Sequence, residues 1–138
     1  MKSRDTLIRL KRFQVDEKRR RVAQIEMMIA EFERMAADLS REIHAEEQKS
    51  GISDPAHFAY PTYARAAAQR RDNLRQSAHN LHAQLADAKA ELGEAFEELK
   101  KAEILDDRER AAERSVDTAR DQAAMNHLGL QRAVRQSL

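Results

Sequence analysis

Apolar side chains fall at Val22, Ile25, Ile29, Phe32, Ala36, Leu39 and Ile43, in an unbroken alternation of three- and four-residue steps. Such steps place every one of these side chains on a single stripe of an α-helix, the seam of a coiled coil. The stripe reaches back through Val15 and Ile8, but Lys18 and Lys11 hold the seam positions between them. A second stripe runs through Ala67, Leu74, Ala78, Leu81, Leu85, Ala88, Leu92, Ala95, Leu99 and Ala102, with Arg71 in the gap after Ala67. Beyond Ala102 the spacing predicts a phase slip. Leu105, Glu109, Ala112, Val116, Ala119 and Ala123 stay on a stripe only if two steps of three follow one another, a stammer in the heptad register.

Between the stripes lies GISDPAHFAYPT, residues 51–62, which holds both prolines and one of the three glycines of the chain. Gly51 is suited to the left-handed conformation that ends helices, with Ile52 placed to fold back on the last turn. The residues before Pro55 and Pro61 are pushed out of helical geometry, and proline is tolerated where the next helix starts. Ser53 or Asp54 is positioned to cap a short helical turn over Ala56, His57 and Phe58. The fold class expected is therefore all-α: a long antiparallel two-helix coiled-coil hairpin with an extended C-terminal helix. Helix 1 is expected over about 4–49, a tip loop over 50–61 and helix 2 over about 62–128, forming one unit over 1–128. Residues 129–138 are expected to be a disordered tail, with Gly129 ending the helix.

Charge supports the fold-back independently. Residues 1–24 carry nine basic and three acidic side chains, net +6; residues 25–60 carry three and eight, net −5. Residues 61–84 carry four and one, net +3, and residues 85–107 carry three and eight, net −5. A turn centred near residue 55 or 56 sets blocks of opposite sign beside one another, whereas a parallel in-register dimer stacks each block on itself. Residues past about 108 are left without a partner from the first arm.

Composition then limits the function. At 138 residues, with 36% charged, 41% hydrophobic and 4% aromatic side chains, there is too little apolar material for a dense globular core. The chain has no cysteine, which excludes disulfides and thiolate chemistry and suits a reducing compartment. The opening MKSRDTLIRLKRF has no continuous apolar run of signal-peptide length, and no window has the ~20 apolar residues of a membrane span. A cytosolic protein is the expectation.

His79 and His82 share a helix face, a geometry able to grip a metal, but no third ligand accompanies them, and solvated surface histidines are the simpler reading. His44, His57 and His127 are more isolated. The acidic pairs Glu46-Glu47 and Glu97-Glu98 have no pocket to raise a pKa, and no phosphate loop or nucleophile-base pair occurs. No catalytic, cofactor or metal site is expected. The basic runs Lys18-Arg19-Arg20-Arg21 and Arg70-Arg71 have the charge to neutralise phosphates, but they lack interleaved aromatics and face acidic blocks. Met28 and Met35 flank Phe32 off the seam, where they either widen it or form an adaptable docking surface. Phe13 and Phe96 fall level on opposite arms. At the tip, Phe58 is expected to pack over the turn, and at least one of Tyr60 and Tyr63 to meet a partner.

The stretches MKSRDTLIRLKRFQVDEKRRRVAQIEMMIAEFERM, GISDPAHFAYPTYA, AQRRDNL and AFEELKKAE give the chain a resemblance to the FliJ family of the bacterial flagellar type III export apparatus, over residues 1–105 and in its alphaproteobacterial form. The resemblance implies a non-enzymatic adaptor and chaperone for protein export and motility, shaped like the central stalk of rotary ATPases. It lies in the cytoplasm, peripheral to the inner membrane at the flagellar base. The implied partners are the flagellar export ATPase, the cytosolic domain of the export gate and export chaperones, with no nucleic acid and no cofactor. Carried onto this chain, the ATPase end comprises Arg4, Arg9, Lys11, Arg12, Lys18, Arg19, Arg20 and Arg21. The gate-facing set near the tip comprises Leu39, Ile43, Phe58, Tyr60, Tyr63 and Ala67, although the helix-one aromatics and helix-two histidine of the better-known branch are missing. Two further classes stay open on the residues alone: a coiled coil that binds nucleic acid or the transcription machinery, and a structural hairpin that self-associates.

Overall fold

A computed structural model of the chain describes residues 2–137, and Lys2 only in its backbone. Two helices account for almost all of it: α1 over Lys2–Ser50 and α2 over Thr62–Ser137. Neither proline falls inside a helix, and α1 contains no glycine, so nothing interrupts its backbone hydrogen bonding. At the end of α1, Gly51 takes φ 70° and its N–H donates to Glu47 O at 2.9 Å, a left-handed cap. Ser50 Oγ accepts from Ile52 N at 3.1 Å and turns the chain back.

The chain divides into two compact units, one formed by Phe13–Ala95 and the other by the residues up to Arg12 together with those from Phe96 on. In the Phe13–Ala95 unit the helices run antiparallel. Ascending α1 through Lys18, Glu33, Ser40 and Glu42 descends α2 through their partners Glu91, His82, Arg75 and Tyr63. Its core follows the expected seam. Val22, Ile25, Ile29, Leu81 and Ala88 are buried together, with Phe32, Leu85 and Leu92 packed against them. Burying an Ile or Leu side chain contributes about 1.5–3 kcal/mol, so this cluster supplies the main stabilisation of the unit. Beside the turn a second cluster joins Ile43, Tyr60, Ala64 and Ala67, with Leu39, Ile52 and Ala68 against it. The small side chains of Ala64 and Ala67 let the helices close around the Tyr60 ring.

The tip itself is a pair of successive turns, not the short helical turn expected. His57 N donates to Asp54 O and Tyr60 N to His57 O, both at 3.0 Å, while Asp54 Oδ1 accepts from Ala56 N at 2.9 Å. The two rings beside the turn have opposite fates. Tyr60 is buried, and Phe58, expected to pack over the turn, is 94% exposed. The turns aim residue 60 inward against Ala64 and Ala67 and residue 58 outward.

In the other unit the pairing is again antiparallel, with Asp5 against Arg110, Arg4 against Glu109 and Lys11 against Glu98. Here the expected phase slip does not occur. After Leu99 and Ala102 the next seam position is Asp106, which is buried, while Leu105 is 57% exposed. The regular heptad persists because two arginines neutralise the acid: Arg110 Nε donates to Asp106 Oδ2 at 2.9 Å, and Arg4 Nε lies 3.6 Å from Oδ1. Nor does the helix stop at Gly129. It continues to Ser137, so the tail expected to be disordered is helical as far as it is described. One glycine in a helix costs only about 1 kcal/mol, and its neighbours here are mostly good helix formers. Every residue described from Asp107 onward is exposed.

Candidate interaction surfaces

The structure separates the eight cations expected to meet a partner into two groups. Arg4, Lys11 and Lys18 stand seven residues apart on the seam face of α1, and each reaches an acid on α2. Lys18 Nζ lies 3.0 Å from Glu91, and Lys11 Nζ 2.7 Å from Glu98. Arg4 donates to Glu109 Oε2 at 2.8 Å and to Glu113 Oε1 at 2.9 Å, with its side chain only 17% exposed. Burial opposes the Arg4 charge, but the bonds to Glu109 and Glu113 outweigh it and raise its pKa. Their charged ends reach acids on α2, and Ile8, Val15 and Val22 on the same face of α1 are buried.

Arg9, Arg12, Arg20 and Arg21 are exposed and form no ion pair among the described residues. Arg19 lies between the two groups, 3.9 Å from Asp16. Arg9 and Arg12 border a shallow depression of about 340 Å³ whose other walls are Asp5, Ile8, Asp106 and Arg110. Heptad spacing marks the seam cations, but within the basic run 18–21 it does not show that Arg19 lies near Asp16 while Arg20 and Arg21 have no ion-pair partner among the described residues.

The gate-facing set divides by burial in the same way. Ile43, Tyr60 and Ala67 belong to the interior of the hairpin, and Leu39 is half-buried against them. Phe58 and Tyr63 are the exposed members, Tyr63 at 53%. The Tyr63 hydroxyl donates to Glu42 Oε2 at 2.6 Å, and that bond, with some burial and the Glu42 charge, raises its pKa. Burial raises the Tyr60 pKa, reinforced by Glu47. The Arg65 guanidinium sits 5.8 Å over the Tyr60 ring and donates to Pro55 O at 3.1 Å, tying α2 to the loop.

A family model described as Flagellar FliJ protein matches residues 1–137. The chain belongs to the FliJ family. The match extends beyond residue 105, where the sequence resemblance ended, and takes in the exposed part of α2. No curated protein and no solved structure matches the chain. Membership in the FliJ family makes this a component of the flagellar export apparatus, in a family of non-enzymatic export proteins. No helix among the described residues is long and apolar enough to cross a membrane, and no group of three or more His, Cys, Asp or Glu there is placed to hold a metal ion. His82 faces Glu33 at 3.9 Å.

Other apolar side chains are exposed on this FliJ-family chain. Met27 is 72% and Met28 44% exposed, while Met35 is half-buried. Leu7, Leu10 and Phe13 are each about half exposed on the N-terminal part of α1, and Phe96 is 38% exposed on α2.

Proposed function

We propose that this FliJ-family chain is a non-enzymatic adaptor and chaperone of flagellar export. It engages the export ATPase ring through the cations of α1, couples the ring to the cytosolic domain of the export gate through the tip, and handles substrate-chaperone complexes. It works in the cytoplasm, peripheral to the inner membrane at the flagellar base. The observation that carries this reading is the distribution of accessible side chains: unpaired Arg9, Arg12, Arg20 and Arg21 on one stretch of α1, and exposed Phe58 and Tyr63 at the turn. Unpaired surface cations attract an acidic protein surface at little desolvation cost, whereas Arg4, Lys11 and Lys18 must first surrender an internal acid. On this reading the unpaired arginines make the ATPase contact and the paired cations support the helix that presents them.

The test combines purified full-length protein, export ATPase and gate cytosolic domain. Binding to both, stimulation of ATPase ring assembly and loss of motility on deletion are expected. Reversing Arg9, Arg12, Arg20 and Arg21 to Glu is expected to abolish ATPase binding with helix content unchanged. No binding to either protein, together with normal motility of the deletion strain, overturns the proposal.

A further inference from the structure

Phe58 is the most exposed large apolar side chain among the described residues, at 94%, ahead of Met27 at 72%. Unlike a side chain on a flexible loop, it projects from a turn whose backbone is tied at several points. Asp54 Oδ1 accepts from Ala56 N at 2.9 Å, and Asp54 O accepts from His57 N at 3.0 Å. His57 Nδ1 accepts from Ala59 N at 3.0 Å, and Arg65 holds Pro55 O at 3.1 Å. The His57 ring stacks against the Phe58 ring, with centroids 4.8 Å apart and planes 21° from parallel. Its neighbours in the loop are already used: Tyr60 is buried and Ile52 half-buried against the cluster beside the turn. Phe58 therefore stands alone as an apolar projection with its position fixed before any partner arrives.

A pre-ordered aromatic ring loses little freedom on binding, and aromatic anchors of this kind carry a disproportionate share of interface energy. We infer that Phe58 is the anchor of the tip, inserting its ring into an apolar pocket on a folded protein partner, with Asp54 and His57 as the residues that position it. The occupant is a protein pocket because Asp54 is the single Asp, Glu, Lys or Arg between Gly51 and Pro61. Anionic lipid and nucleic acid are both recognised through basic side chains, which the loop lacks. A lone ring also differs from the i, i+3, i+4 set with which a helix fills a groove, so the receiving site is a pocket for one ring.

This inference rests on the adaptor reading for the choice of partner, and the experiment distinguishes the two. Full-length protein is titrated with the purified cytosolic domain of the export gate by calorimetry. Phe58→Ala is expected to weaken binding about tenfold or more, while Met27→Ala changes it less than about twofold. Both variants keep the far-ultraviolet circular dichroism of the parent, since both side chains are largely solvated. Asp54→Ala is expected to weaken binding less than Phe58→Ala does, and Asp54→Asn, which caps the turn in the same way, to restore it. Wild-type binding with an undiminished Phe58→Ala overturns the anchor and leaves the adaptor reading standing. A wild type that binds neither the gate domain nor the ATPase overturns both.

Discussion

The Phe13–Ala95 unit and the unit that holds the start of α1 are built from one repeat but joined by different forces. In the first, every third-and-fourth position from Val22 to Ile43 is apolar, and Ile25 at 1% exposure is the most deeply buried large side chain. In the second, the buried apolar side chains among the described residues are Ile8 and Leu99, Ala102 is half-buried, and seam positions Arg4, Lys11 and Asp106 are charged. Apolar burial is insensitive to salt and pH, whereas ion pairs at partly exposed sites are weak and screened. The contrast teaches that a regular heptad pattern fixes the path of the helices without fixing how firmly they are held. The unit that holds the start of α1, with Arg9 and Arg12, is the one more readily opened.

The largest effect that sharpens this contrast is expected from cavities. Ile25→Ala should destabilise the protein by about 2–5 kcal/mol, read from urea denaturation followed by circular dichroism. Ile8→Ala, in the ionic unit, should cost less than about 2 kcal/mol, because that end opens locally before the whole molecule unfolds. Equal losses at the two sites would erase the distinction.

Acid is expected to act next. Lys11 donates to Glu98 and, with its charge, holds that carboxyl below its ordinary value of 4.5. Folded Glu98 thus binds its proton less tightly than unfolded Glu98. The stabilisation is present above the unfolded pKa and is lost as pH falls through the folded one. Stability measured against pH should therefore fall more steeply on the acid side for the wild type than for Glu98→Gln, and the two curves should converge in acid.

Alkali should produce the smallest effect, this time at the tip. Tyr60 and Tyr63 both titrate above the ordinary 10.0, Tyr60 chiefly through burial and Tyr63 chiefly through its bond to Glu42. The folded state favours the protonated phenols, so their contribution is intact below the unfolded pKa and disappears as pH rises through the folded values. Phenolate absorbance reports the two tyrosines directly, and Tyr63→Phe should leave one late titration, that of Tyr60.

Much of the architecture is legible in the sequence because its signals are local and strong. The three-four alternation locates both helices, and Gly51, Pro55 and Pro61 locate the turn within a residue or two. Asp106 is not legible as a seam residue. A count of apolar positions passes over an acid and follows Leu105, whereas the fold accepts the acid because Arg4 and Arg110 converge on it. The choice between Phe58 and Tyr60 is equally hidden, since both are aromatic and two residues apart, and the loop geometry alone sends one inward. The candidate partner surface is the least legible part. The heptad spacing marks Lys11 and Lys18 as seam residues, but which acids they reach, and which arginines stay unpaired, shows only in the pairing across the helices.

Residue-resolved amide hydrogen exchange in low and high salt tests the contrast between apolar and ionic pairing most directly. Protection in residues 22–32 and 81–92 is predicted to persist as salt rises, while residues 4–11 and 98–106 lose protection, and residues 114–137 exchange fastest under both conditions. Protection that falls uniformly along both helices, or that is indifferent to salt throughout, would contradict it.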